Sequence, residues 1–136
     1  MAGTLYVVAT PIGNLGDLSP RAAQVLTAAA AVAAEDTRHT AALLRHIGAG
    51  AELISVHAHA RARALERVLR LLDLGKEVAL VTDAGTPTVS DPGATLVAAA
   101  RARGAAVVTV PGPSAVPAAL AVCGLPADRY TFLGFL

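Results

Sequence analysis

The stretch TLYVVATPIGNLGD, residues 4–17, joins a short apolar run rich in β-branched residues to a loop rich in proline and glycine. An apolar run of this length that stops at Thr10-Pro11 predicts a buried strand. Two later stretches have the same form: VALVTDAGTP at 78–87 and AAVVTVPGPSA at 105–115. Loops that follow parallel strands leave the same edge of a sheet, and in open α/β sheets this edge binds small ligands. The three loops therefore predict a ligand pocket.

Helical patterns alternate with the apolar runs along the chain. Ser19-Pro20 predicts a helix start, because serine caps the first turn and proline fits within it. The predicted order is strand 4–9, helix 20–30, strand 32–34, helix 37–47, strand 53–56, helix 60–74, strand 78–81, helix 91–103, strand 105–110, helix 114–122 and strand 130–136. This alternation predicts an α/β fold with a right-handed, mostly parallel sheet flanked by helices.

The composition fits one domain with a buried core. The chain has 136 residues, of which 54% are hydrophobic and 15% charged, which excludes a disordered tail. No apolar run is long enough to span a membrane and no charged-then-apolar leader opens the chain, so we expect a cytoplasmic protein with no membrane partner. The single cysteine, Cys123, excludes an intrachain disulfide, and its apolar neighbours predict a small buried side chain.

The charge pattern leaves two interpretations of the third helix open. The formal net charge of the chain is +1, so overall charge argues neither for nor against an RNA partner. Four arginines nevertheless crowd this helix, at positions 61, 63, 67 and 70. They form either a solvated helix face or a surface that contacts phosphates. The four histidines have no spacing typical of a metal site, so we expect no metal.

The first loop lacks the common phosphate-binding motifs. It contains Gly13 and Gly16 but neither the Gly-x-Gly-x-x-Gly pattern nor the Lys-Ser/Thr of a P-loop. Tight proline and glycine turns instead suit a ligand without phosphates that is held by backbone N–H and C=O groups at close approach. S-adenosylmethionine is a ligand of this kind.

Polar residues at the strand exits each have a structural and a functional interpretation. Asp83 either pairs with a cofactor amine or holds its own loop by accepting backbone N–H bonds. Ser114 either caps the last helix or faces a ligand. Asp36 or Thr37 fits the N-cap of the second helix, but capping does not explain Arg38.

Taken together, these motifs resemble the tetrapyrrole methylase superfamily. The motifs follow the superfamily's order and cover essentially the whole chain: LYVVATPIGNLGD at 5–17, AEDTR at 34–38, TDAGTP at 82–87, SDPG at 90–93 and PGPSA at 111–115. Such proteins have two α/β domains, bind S-adenosylmethionine in the cleft between them and usually form homodimers. By this resemblance, residues 1–136 are an N-terminal domain of the tetrapyrrole methylase fold, and the family's second, C-terminal domain is absent from the chain.

The resemblance also implies which residues bind the cofactor and what the substrate is. The implied cofactor contacts are Thr10, Pro11, Asp83, Gly85, Thr86, Val89, Ser114 and Ala115. The AEDTR and DAGTP motifs favour the bacterial branch that methylates a cytidine 2′-hydroxyl in small-subunit ribosomal RNA. Two alternatives stay open: a tetrapyrrole (precorrin-type) methyltransferase, and a cofactor-binding or dimerisation module that is inactive alone.

Transfer of a methyl group to a ribose hydroxyl calls for alignment and a base. The sulfonium of the cofactor is already a good leaving group, so the protein mainly has to align nucleophile, methyl and sulfur. A ribose hydroxyl is a poor nucleophile until its proton is removed or polarised. Asp36 is the candidate base, and Arg38 is the candidate for holding a phosphate or the substrate ribose. Alternatively, both residues brace the first loop or the dimer interface.

Overall fold

A single parallel sheet forms the centre of the protein in a computed structural model, which describes residues 2–56, 61–82, 85 and 93–134. Within these residues the sheet has five strands, in the order β3-β2-β4-β1-β5. The strands are β1 Thr4–Val8, β2 Ala31–Ala34, β3 Glu52–Ser55, β4 Glu77–Leu80 and β5 Ala106–Val110. Every paired neighbour runs parallel. The predicted α/β class and parallel sheet are therefore confirmed.

Helices follow the strands in alternation, as the sequence predicts. They are α1 Pro20–Ala28, α2 Thr37–Ile47, α3 Arg61–Asp73, α4 Gly93–Ala102 and α5 Ala115–Val122, with one 3₁₀ turn at Leu15–Asp17. The side chain of Ser19 caps α1 by accepting a hydrogen bond of 3.0 Å from the Ala22 N–H, which satisfies an otherwise unpaired donor of the first turn. No helix in the described part of the chain is long and apolar enough to cross a bilayer.

The core lies on both faces of the sheet, because successive side chains of a strand point to opposite sides. On β4, Val78 and Leu80 pack in the cluster that contains α3 and α4. Ala79, between them, and Val81, which follows β4, pack in the cluster that contains α1 and α2. The result is a three-layer arrangement with two helices on each face.

This topology places one switch point of the sheet between β1 and β4. The chain leaves β1 through α1 toward β2 and leaves β4 through α4 toward β5, and these two strands are neighbours whose connections run in opposite directions. Such a point opens a crevice outside the carboxyl ends of the strands. The loops after β1 and β4 therefore flank one position where an open α/β sheet can bind a ligand.

Two sequence predictions at the C-terminal end are wrong. Residues 130–134 form no strand, and 135 and 136 lie outside the described residues. Phe132 and Leu133 are exposed, because an apolar run becomes a strand only when a sheet edge pairs with its backbone. Cys123 is also exposed, since α5 has no buried residue. The predicted start of the fourth helix at Asp91-Pro92 lies outside the described residues.

The arginine-rich face of α3 is exposed. Arg61, Arg63, Arg67 and Arg70 all face solvent. The guanidinium of Arg67 forms an ion pair with the Glu52 carboxylate on β3, and this hydrogen bond raises the pKa of Arg67. The structure is compatible with a solvated face, and the alternative of a phosphate-contacting surface stays a prediction.

Candidate functional site

A short antiparallel bridge ties the loop after β1 to the loop after β4. The N–H of Thr10 donates to the Gly85 carbonyl at 2.9 Å, and the N–H of Gly85 donates back to the Thr10 carbonyl at 3.0 Å. The Thr10 hydroxyl, whose residue is 2% exposed, lies 3.5 Å from the carbonyl oxygens of Thr82 and Gly85. Thr10 therefore holds the two loops together.

The loop after β5 reaches the same place. A Cβ added at Gly85 would lie 3.4 Å from Ile12 Cγ2 and 3.7 Å from the Pro113 carbonyl oxygen. Gly112 approaches β1 so closely that its Cβ would lie 3.1 Å from the Cβ of Ala9. Gly85 has a φ of 84°, in the left-handed region that favours glycine. The three loops thus converge at the carboxyl edge of the sheet, as their sequence positions predict.

Ser114 does not cap α5, contrary to the structural interpretation of this residue. It occupies the N-cap position with extended backbone angles, but its side chain accepts no capping hydrogen bond. An N-cap side chain usually accepts from the N–H of the second or third helical residue. Here the third is Pro117, which has no N–H to donate. Ser114 is half-buried at the end of the loop after β5, where the three loops converge. Its hydroxyl is therefore available to a ligand.

Asp36 caps α2 and pairs with Arg38. Its Oδ1 accepts from the Arg38 N–H at 2.9 Å and from Arg38 Nε at 3.3 Å, and its Oδ2 accepts from Nη2 at 3.2 Å. The side-chain hydrogen bond from Arg38, followed by the backbone one, lowers the pKa of Asp36 below its ordinary value of 3.8. Arg38 is therefore explained by its pairing with the cap residue, although its side chain is 90% exposed.

A pocket of about 260 Å³ lies between the first loop and α2. Loop residues form one wall and α2 forms the other, over a floor that includes buried Thr10 and Thr40. The lining residues are Thr10, Pro11, Gly13, Asn14, Leu15, His39, Thr40, Ala42, Leu43 and Thr82. A polar floor within mostly apolar walls is typical of small-molecule sites.

The structure brings together some of the residues that the sequence singles out. Thr10 and Gly85 are bridged, Pro11 lines the pocket, and Ser114 and Ala115 begin α5 beside Pro113. Asp83, Thr86 and Val89 lie outside the described residues. In the part of the chain that the structure covers, no three His, Cys, Asp or Glu residues are grouped to hold a metal ion.

Sequence analysis missed the α2 wall of the pocket. His39, Thr40, Ala42 and Leu43 line it together. Residues three and four positions apart share one face of a helix, so this spacing was a usable signal once α2 was predicted. The packing of the first loop over α2 is a tertiary contact with no local signature in the sequence.

The comparison with known proteins extends over nearly the whole chain. A family model described as Tetrapyrrole (Corrin/Porphyrin) Methylases matches residues 4–133. The protein named "Ribosomal RNA small subunit methyltransferase I" of Xylella fastidiosa is 58% identical over 134 residues, and its namesake of Pseudomonas aeruginosa is 54% identical over 135. These matches cover 98% and 99% of this chain but only 49% and 48% of the two relatives. The chain thus spans about half the length of the curated relatives it matches.

The fold also matches a solved structure. Uroporphyrin-III-C-methyltransferase from Thermus thermophilus superposes with a TM-score of 0.71 at 28% sequence identity. The match covers 95% of this chain and 56% of that one. The parallel sheet and the flanking helices therefore occur in a protein of the same family.

Proposed function

The chain belongs to the tetrapyrrole methylase family, and we propose that it is the N-terminal domain of an S-adenosylmethionine-dependent methyltransferase that modifies a cytidine 2′-hydroxyl in small-subunit ribosomal RNA. The observation that carries the proposal is the convergence of the three loops around Gly85. The RNA substrate is supported by the names of relatives at 58% and 54% identity.

The proposed cofactor contacts lie on or beside the converging loops. Thr10 and Pro11 shape the first loop, which follows β1. Gly85 lets the loop after β4 (the fourth loop) approach closely, and the Ser114 hydroxyl and the backbone of Ala115 contribute from the loop after β5 (the fifth loop). The remaining proposed contacts are Asp83, Thr86 and Val89. Bound S-adenosylmethionine supplies an electrophilic methyl group, and the loops supply alignment, which lowers the barrier by fixing the reacting geometry in advance.

Asp36 and Arg38 are the proposed catalytic pair, with Asp36 as general base and Arg38 as the anchor for a phosphate or the ribose. In the structure, Arg38 hydrogen-bonds the carboxylate and lowers the pKa of Asp36, which weakens it as a base. An RNA phosphate competes for the same guanidinium, because arginine binds phosphate in a bidentate manner. Once Arg38 turns to the phosphate, the pKa of Asp36 rises and the carboxylate becomes a stronger base.

The proposal also covers the rest of the molecule. A second domain of similar length completes the cofactor cleft, in keeping with the half-length coverage of the relatives. Following the family resemblance, the complete protein acts in the cytoplasm as a homodimer. The isolated chain then binds the cofactor weakly and transfers no methyl group, a behaviour that calorimetry with S-adenosylmethionine and a parallel transfer assay measure directly.

The substrate is tested by offering two acceptors to the complete protein that contains this chain. Labelled S-adenosylmethionine is incubated with small ribosomal subunits that lack the modification, and separately with a precorrin-type tetrapyrrole. Label in the RNA, at a nucleotide that resists alkaline cleavage, supports the proposal. Label in the tetrapyrrole instead establishes the alternative that is favoured by the fold match to a uroporphyrin methyltransferase.

The role of Asp36 is tested by Asp36→Asn, with Glu35→Gln as the matched control. Asparagine keeps the Oδ1 acceptor that caps α2 and is a good N-cap residue, so the fold is preserved while the base is removed. We expect kcat to fall by about 10²- to 10⁴-fold, the usual contribution of a general base, with unchanged affinity for the cofactor. Glu35 is exposed, and its variant should retain activity. Turnover of Asp36→Asn within a few-fold of the unaltered protein eliminates Asp36 as the base.

A further inference from the structure

The first loop has neighbours in two directions at the carboxyl edge of the sheet. Ile12 lies toward Gly85 and Pro113, which flank the point where the three loops converge. Its neighbours Pro11 and Gly13 line the pocket against α2 instead. Thr10 and Pro11 are thus shared between the pocket and the proposed cofactor contacts, whereas the proposed contacts on the loops after β4 and β5 that the structure describes do not line it.

The lining of this pocket offers hydrogen-bonding groups that the fold does not use. Oδ1 of Asn14 accepts from the Gly16 N–H at 2.9 Å, which fixes the side chain, and its amide nitrogen has no hydrogen bond within the described residues. The imidazole of His39, exposed on the α2 wall, likewise has none among the residues that the structure describes. Leu43 and Ala42 supply apolar surface beside them. A flat ring with polar edges fits this lining.

The surroundings of the pocket suit a polynucleotide. His39 also borders an open depression that it shares with Asp36 and Arg38. The Arg38 side chain, 90% exposed, is accessible to a phosphate, which guanidinium groups bind with charge-assisted hydrogen bonds. A nucleotide whose base enters the pocket therefore has its sugar and phosphate near Asp36 and Arg38.

We propose that this pocket receives the base of the target nucleotide, swung out of the RNA, and that Asn14 and His39 are the residues that select it. The inference rests on the proposed function and adds the substrate side of the site. Enzymes that act on nucleotides commonly extrude the base into a fitted pocket and read its edge by hydrogen bonds. Holding the base also fixes the attached ribose, so that its 2′-hydroxyl is aligned with a methyl donor bound beside the pocket, at the shared residues Thr10 and Pro11.

The size of the pocket separates this occupant from the alternatives. About 260 Å³ is slightly below the range of roughly 300–1,000 Å³ that is usual for small-molecule sites. This volume suits a single base more closely than a macrocycle of four pyrrole rings. The cofactor is larger than a base as well, and its proposed contacts Gly85, Ser114 and Ala115 do not line the pocket.

Three variants of the complete protein test the pocket, each made to leave the fold intact. Ala42→Phe fills the pocket from the exposed side of α2. Asn14→Asp keeps the Oδ1 acceptor for Gly16 and removes only the amide donor. His39→Ala removes the imidazole. His46→Ala is the matched control, since His46 is exposed on the same helix and does not line the pocket.

Three quantities are measured for each variant: the calorimetric affinity for S-adenosylmethionine, the binding of unmodified small ribosomal subunits without cofactor, and kcat/KM for methyl transfer. We expect each pocket variant to lose about tenfold or more in subunit binding and in kcat/KM, the loss expected from one stacking or hydrogen-bonding contact to a base. Cofactor affinity should stay within about twofold, and His46→Ala should match the unaltered protein.

Each other result overturns the inference in a distinguishable way. If the pocket variants lose cofactor affinity as strongly as RNA binding, the pocket belongs to the donor. If they methylate RNA as well as the control does, the base lies elsewhere, although the proposed function stands. If the unaltered protein methylates no small-subunit RNA, the proposed function fails and the inference fails with it.

Discussion

Substituting Gly85 by alanine tests whether the convergence of the loops creates the cofactor site. The residue has a φ of 84°, and an L-residue in this region costs about 1–2 kcal/mol. The added Cβ would also lie 3.4 Å from Ile12 Cγ2, a contact that a small shift of the isoleucine side chain relieves. The dominant cost is therefore backbone strain.

The strain acts on the bridge between the first and fourth loops. The two hydrogen bonds of this bridge, 2.9 and 3.0 Å long, contribute about 0.5–1.5 kcal/mol each. Their sum is comparable to the strain, so the variant relaxes by weakening the bridge and displacing the fourth loop. If that loop contacts the cofactor, a loss of about 1–2 kcal/mol corresponds to a roughly five- to thirtyfold weaker affinity, since about 1.4 kcal/mol is a factor of ten.

Calorimetry with S-adenosylmethionine on the complete protein measures this effect, and Gly104→Ala is its control. Gly104 has a similar φ of 79°, but an added Cβ there meets nothing within 4 Å, and the residue lies between α4 and β5, at the opposite end of the strands. It should lower the thermal unfolding midpoint to a similar extent and leave the affinity unchanged. Equal affinities for the two variants would refute the assignment of the cofactor to the converging loops.

Further substitutions separate stability from function. Ser114→Ala should lower cofactor affinity severalfold without changing the unfolding midpoint, because no cap bond is lost, whereas Ser19→Ala loses a 3.0 Å cap bond and should cost about 1 kcal/mol. Gly3→Ala should destabilise the fold by about 1–3 kcal/mol, because its Cβ would lie 1.8 Å from a backbone carbonyl oxygen. The ion pair between Asp36 and Arg38 should contribute stability at neutral pH that disappears as the pH falls below 3.8 through the lowered pKa of the carboxyl. Arg38→Ala and the unaltered protein should therefore differ in unfolding midpoint at pH 7, and the difference should shrink as the pH falls below 3.8.

Each of these outcomes has its own check. Gly50→Ala is the control for Gly3, since a Cβ there meets nothing within 4 Å, and equal midpoints for the two variants would contradict the predicted clash. Destabilisation by Ser114→Ala would mean that the hydroxyl supports the fold after all. A difference between Arg38→Ala and the unaltered protein that does not shrink as the pH falls below 3.8 would show that Arg38 acts through something other than the carboxylate.

The sheet and most helices could be predicted because their signals are local. Apolar runs that end at proline or glycine mark strands buried on both faces, and serine or aspartate before a helix marks its first turn. The C-terminal run 130–136 shows the limit of this approach. Its composition resembles that of β1, but strand formation depends on a pairing partner, which composition does not reveal.

The site was predictable only as far as it follows from topology. Loops after parallel strands must share one edge, so the proximity of Thr10 to Gly85 could be expected. The pairing of Arg38 with Asp36 joins residues two positions apart at the start of α2 and is therefore local. The pocket wall formed by His39 depends instead on packing of the first loop over α2. The missing cap at Ser114 has a partial local signal, since Pro117 removes one of the two N–H donors that an N-cap side chain can use.

The bridge between Thr10 and Gly85 also bears on how such a site can vary. Because each residue supplies both a donor and an acceptor to the other, the two loops form one mechanical unit. A length change in either loop disrupts both, and substitutions on the two sides combine non-additively. This constraint does not apply to side chains that project from the two bridged loops or from α2 opposite them. Changes in the preferred methyl acceptor therefore arise most readily at those side chains.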